Sequence, residues 1–108
     1  LASMQAIVGG FIQAVEPFED HNVLLLCNEE AKLLGLPENR FLRDSAGRPY
    51  DIVHGTFFLA QGSGEDFCSL TDKQIQTYTR LYSREKLFVM QHGKVINQPK
   101  KGKSTHER

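Results

Sequence analysis

The chain opens with apolar residues at helical spacing, Leu1, Met4, Ile7 and Val8, followed by Gly9-Gly10 where a helix C′ glycine would stand. A short helix is expected there. "FIQAVEPF" then alternates with the period of a half-buried strand, gives way to the polar turn Glu19-Asp20-His21-Asn22, and leads into the unbroken apolar run "VLLLC". This pattern predicts a hairpin whose second strand is central. Farther on, "DSAGRP" signals a loop. "YDIVHGTFFLAQ", rich in β-branched and aromatic residues, predicts one long strand, which "GSGED" closes as a loop. Thr71 and Gln74 have the spacing of a capping box, with Leu70 and Ile75 at the positions of a hydrophobic staple. Ile75, Tyr78, Leu81 and Tyr82 give this second helix an apolar stripe, so it should lie across a sheet. "LFVM" and "KVIN" flank Gln91-His92-Gly93 as a C-terminal hairpin. The predicted class is α+β: a small, mostly antiparallel sheet with two helices packed on one face, plus that hairpin.

Between the first hairpin and the long strand, "NEEAKLLGLPENR" (28–40) frames Leu33, Leu34 and Leu36 with polar residues. Asn28 suits a helix N-cap, and Glu29 and Glu30 would complement the positive end of a first turn. Gly35 falls at C′ and Leu36 at C″, so Ala31 and Leu36 can meet in a Schellman ending, after which Pro37 can begin another short helix at N1. Capping leaves Asn39 and Arg40 unexplained.

Composition narrows the possibilities. At 108 residues, 40% hydrophobic, with seven Phe and three Tyr, the chain can support one core. The expected organisation is a single domain over 1–97, with the hairpin appended at 87–97 and a basic tail at 98–108. No apolar run approaches the roughly 20 residues of a membrane span. Leu1 to Val8 lacks the basic start of a signal peptide, so a soluble, cytoplasmic protein is expected. Two cysteines, Cys27 and Cys68, argue against a disulfide framework or a structural zinc site.

The formal charge of zero conceals an asymmetry. Residues 1–83 carry eleven acids against six bases, net −5, whereas residues 84–108 carry seven bases against two acids, net +5. The tail can contact nucleic acid through Lys100, Lys101 and Lys103, fold back on its own acidic domain, or serve solubility. It has no aromatic residue to stack on a base.

Four blocks, "VGGFIQAV", "CNEEAKLLGLPENR", "DIVHGTFF" and "SLTDKQIQTY", resemble in order and spacing a bacterial and phage domain family of unknown function carried by mobile genetic elements. The resemblance covers roughly residues 1–82. It implies a short strand ahead of the first helix, and it places Gly where this chain has Ala31. It brings no reaction, cofactor or partner, and implies only a setting in phage, plasmid or host-defence biology.

Weighing the chemistry favours no catalytic set. Cys27 ends an apolar strand, where cysteine behaves as a small hydrophobe. Glu29 and Glu30 are adjacent and so diverge by about 100° on a helix, without the histidine spacing or acidic loop of a metal site. "QGSGED" lacks the lysine of a phosphate loop. No metal or cofactor is expected. On the long strand, alternation sets His54 and Thr56 on the face of Ile52 and Phe58, where they either bond to a neighbouring strand or furnish a shallow pocket. Gly55 would allow close backbone approach to such a pocket, Asn39 and Arg40 would reach it from a loop, and Glu30 would orient Arg40. The favoured expectation is a non-catalytic interaction module binding a protein partner or itself. The alternative is a small-molecule or nucleotide-binding domain around Glu30, Asn39, Arg40, His54 and Thr56.

Overall fold

A computed structural model describes residues 2–63, 66–82 and 87–98. The chain divides into two compact units, Leu1–Phe57 and Phe58–Arg108.

In the first unit, α1 (Ala2–Val8) ends at Gly9, whose φ of +84° lets the amides of Gly9 and Gly10 both donate to the Gln5 carbonyl, at 2.8 and 3.1 Å. β1 (Ile12–Val15) pairs antiparallel with β2 (Val23–Asn28), Ile12 opposite Asn28 and Val15 opposite Leu25. The connecting turn is stitched by Asp20, whose carboxylate accepts from the Asn22 amide and whose carbonyl accepts from the Val23 amide, each at 3.0 Å. All of β2 except Leu24 is buried, as an uninterrupted apolar run requires. β3 (Glu38–Arg43) and β4 (Pro49–His54) form a two-stranded antiparallel sheet of their own, with Phe41 opposite Ile52 and Leu42 opposite Asp51. The register jumps twice, leaving Asn39 of β3 and Tyr50 of β4 as the extra residues.

Two expectations are corrected here. The stretch 50–61, expected as one strand, falls in two: β4 stops at His54, because Gly55 takes φ +78° and turns the chain out of the extended path. Residues 29–35 form hydrogen-bonded turns in place of a helix, and the segment after Pro37 is β3 in place of a second helix.

In the second unit, β5 (Phe58–Ser63) pairs antiparallel with β6 (Asp66–Cys68) and parallel with β7 (Leu87–Gln91), Phe58 facing Phe88. β6 lies partly in what the sequence marks as loop. β8 (Lys94–Gln98) pairs antiparallel with β7 from Gln91 opposite Lys94 to Leu87 opposite Gln98. Both residues of the connecting turn, His92 (φ +55°) and Gly93 (φ +76°), adopt the left-handed conformation whose twist matches flanking strands. α2 (Asp72–Leu81) starts from the expected capping box: Gln74 N donates to Thr71 Oγ1 at 3.1 Å, and Thr71 N to Gln74 Oε1 at 2.8 Å. Phe58, Leu59, Leu87 and Val89 are essentially solvent-free, each contributing roughly 1.5–3 kcal/mol of hydrophobic burial.

The fold is therefore α+β, with both parallel and antiparallel strand pairs and with strands outweighing the two helices among the described residues. No helix among the described residues is long and apolar enough to cross a membrane.

Candidate functional site

The polar stretch after β2 builds itself from Asn28 outward. This carboxamide is buried and bonded at both polar atoms: Nδ2 donates to the Val8 carbonyl at 3.1 Å, and Oδ1 accepts from the Glu30 amide at 2.8 Å. Asn28 thus ties the end of α1 to the turn following β2. The turn closes as a Schellman motif, with Gly35 N on Lys32 O at 3.2 Å, Leu36 N on Ala31 O at 3.0 Å, and Gly35 at φ +69°. The capping chemistry read from the sequence is present, but it closes a single turn.

Asn39 and Arg40, left over by capping, belong to a second knot. Gly55 N donates to the Pro37 carbonyl at 2.7 Å, Asn39 Nδ2 donates to the Gly55 carbonyl at 2.8 Å, and His54 Nδ1 meets the Leu36 carbonyl at 2.9 Å. Because a carbonyl only accepts, Nδ1 carries the proton. Arg40 donates to Asn39 Oδ1, and its guanidinium lies 5.3 Å from the centroid of the Phe57 ring. The knot needs glycine at position 55: a Cβ there would come within 2.8 Å of Leu36 Cδ1, on a backbone already at positive φ. Asn39, Arg40 and His54 are indeed brought together, and the bonds they make hold the end of β4 to the start of β3.

A cavity of about 210 Å³ opens beside this knot. Gln13, Val15, Cys27, Lys32, Asp51 and His54 are among the residues that line it, together with Glu29 and Glu30. Lys32 Nζ and Asp51 Oδ1 are 2.6 Å apart at its rim. The Lys32 hydrogen bond, reinforced by the Ile52 amide, holds the Asp51 carboxyl below its usual range. Burial, aided by the Asp51 charge, pushes the Cys27 thiol up, and its Sγ rests 3.7 Å from the Gln13 carbonyl. Such a thiol is a poor nucleophile at neutral pH.

Of the residues expected to line a pocket, Glu30 and His54 do so, whereas Asn39, Arg40 and Thr56 are not among the lining residues. Thr56 is exposed, one residue past the turn at Gly55. Lys100, Lys101 and Lys103 lie outside the described residues. Sequence reasoning missed Lys32 and Asp51, which stand nineteen positions apart and are joined only by the fold. No local motif announces such a pair.

Among comparisons with known proteins, a family model described as a domain of unknown function, DUF3846, matches residues 1–83. No curated protein and no solved structure matches the chain.

Proposed function

The chain belongs to the DUF3846 family, and since that membership carries no reaction with it, we propose that the protein is a non-catalytic interaction module that docks onto a second copy of itself through the outer face of the β3–β4 sheet. The observation that carries this reading is the exposure of large aromatic side chains on that ribbon: Phe41 is 50% exposed and Tyr50 58%, whereas Leu42 and Val53 on the opposite face are each 6% exposed. Phe41 faces Ile52 across the ladder, which sets those two side chains on one side, and Tyr50, the extra residue at the adjacent register shift, adds a second exposed ring to the ribbon. Arg43 extends the surface, its guanidinium 5.5 Å from the Phe41 ring centroid. Apolar rings edged by arginine are the composition that favours protein contact over solvent.

Charge supports a second copy as the occupant. With Arg40 and Asp51 left out, since they pair with Val53 and Leu42 on the other face, the ribbon and its loop carry Glu38 and Asp44 against Arg43 and Arg48. Equal numbers mean that two such surfaces meet without net repulsion and offer each other opposite charges. The side chains with chemical potential support a non-catalytic role, since Asn28, Asn39 and the His54 Nδ1 are engaged in bonds that shape the chain. The four sequence blocks support placing the module in a bacterial mobile-element or phage setting, inside the cell.

Light scattering on the full chain over a concentration series tests the reading. The mass should rise from one chain toward two, and Phe41→Asp and Tyr50→Asp should each hold it at one chain with the melting transition retained. A monomer throughout, or a dimer indifferent to both substitutions, overturns it.

A further inference from the structure

Apart from the ribbon, the first unit exposes three large apolar side chains around the turn that follows β2: Leu33 is 88% exposed, Leu34 59% and Phe11 70%. The backbone of the turn holds the two leucines in place. Ala31 N donates to Asn28 O at 3.2 Å and Leu34 N to Glu30 O at 2.9 Å, and the Schellman pair closes the far end. The same turn sends Leu36 inward, with its Cδ1 against Gly55. Of three leucines, then, one is packed and two are held out on an ordered backbone, which lowers the entropy cost of any contact they make. Phe11 stands beside the first residue of the turn, because Glu29 N donates to Phe11 O at 2.8 Å. A single exposed apolar side chain is ordinary, whereas three around one turn make a contact surface.

Charge selects what covers it. Glu29 and Glu30 are exposed within the turn, and its one base, Lys32, is engaged by Asp51 at 2.6 Å, so the surroundings of the leucines are acidic. We propose that this patch binds an amphipathic basic helix of another protein, whose apolar stripe covers Phe11, Leu33 and Leu34 and whose Lys or Arg flanks meet Glu29 and Glu30. An acidic helix is repelled, and so is an anionic lipid surface. A second copy offering the same patch about a two-fold axis sets Glu29 and Glu30 against their own kind, so this surface differs in its occupant from the β3–β4 ribbon.

The test is fluorescence anisotropy of a labelled Leu/Lys amphipathic helix of about 14 residues titrated with the full chain, with Leu/Glu and Ser/Lys peptides of the same spacing as controls. Saturable binding of the Leu/Lys peptide alone is expected. L33S/L34S should weaken it roughly tenfold or more, and E29K/E30K should weaken it and create binding to the Leu/Glu peptide. These four side chains are exposed, so the melting transition should be retained in both variants. Equal binding of the Ser/Lys peptide, binding of the Leu/Lys peptide untouched by L33S/L34S, or no exchange of peptide preference in E29K/E30K would each refute the proposal, as would a fall in oligomeric mass on L33S/L34S. Phe41→Asp, which removes self-docking through the ribbon, should leave peptide binding unchanged, so the two readings stand or fall separately.

Discussion

At the scale of single residues, the most constrained position is Gly55. Its amide, its carbonyl, its positive φ and the 2.8 Å approach to Leu36 Cδ1 all act on one residue. Gly55→Ala should destabilise the chain by about 2–3 kcal/mol, from left-handed strain plus displacement of Leu36, read as a lower urea midpoint at unchanged slope. Asn39→Ala removes the bond to the same carbonyl and the acceptor for Arg40, and should cost about 1–2 kcal/mol. Asp51 gives a pH signature. Its folded pKa lies below the unfolded value of 3.8, so its contribution is present above pH 3.8 and disappears as pH falls through the folded pKa. Asp51→Asn should therefore lower stability at pH 7, by no more than about 1 kcal/mol for so exposed a pair, and match the parent at the acid end. A constant difference across the whole range would show that the ion pair is not its source.

At the scale of elements, α2 illustrates what a sequence can carry. The capping box is a local contract between positions 71 and 74, and the fold honours it. The structure adds a tertiary role that no spacing discloses: Gln74 Nε2 also donates to Gln61 Oε1 at 3.2 Å, and Gln61 Nε2 to the Ser69 carbonyl at 3.0 Å. Thr71→Ala should cost about 1 kcal/mol, with Thr71→Ser restoring most of it, whereas Gln74→Ala breaks both the cap and the link to β5 and should cost more. Equal losses in chemical denaturation would leave the Gln61 link without energetic weight. The β1–β2 hairpin is equally legible, because the unbroken apolar run of β2 reflects burial on both faces, whereas the burial of β1 does not alternate, Ile12 and Val15 being half-buried and Gln13 and Ala14 exposed. The pattern predicts one long strand because hydrophobicity persists through Gly55, while the backbone direction does not. Residues 29–35 were misread for the opposite reason, since their end signals were correct but the chain between them is too short to add turns. The candidate site was half legible: Glu30 and His54 could be nominated from pattern, whereas Lys32 and Asp51 become neighbours only after β2, its turn and β4 have folded.

At the scale of the whole molecule, the dominant feature is the separation of charge along the chain, net −5 before residue 84 and net +5 from there on. Residues 99–108 hold Lys100, Lys101, Lys103 and Arg108 against Glu107, so a chain ending at Gln98, which preserves the last rung of β8 opposite Leu87, carries net −3. Polyanion binding by the full chain should then be electrostatic and confined to that segment. On immobilised DNA, retention at low salt should fall with a logarithmic salt slope no steeper than about −4, near −0.9 for each of four basic residues, and vanish for the shortened chain. The shortened chain should also bind an anion exchanger more strongly, because its acidic body is no longer offset. Retention on DNA that survives the truncation would move the contact to the acidic body, where Arg40, Arg43 and Arg48 of the β3–β4 ribbon form the densest group of bases. That result would also count against self-docking through the same ribbon, since one surface would then have two competing occupants.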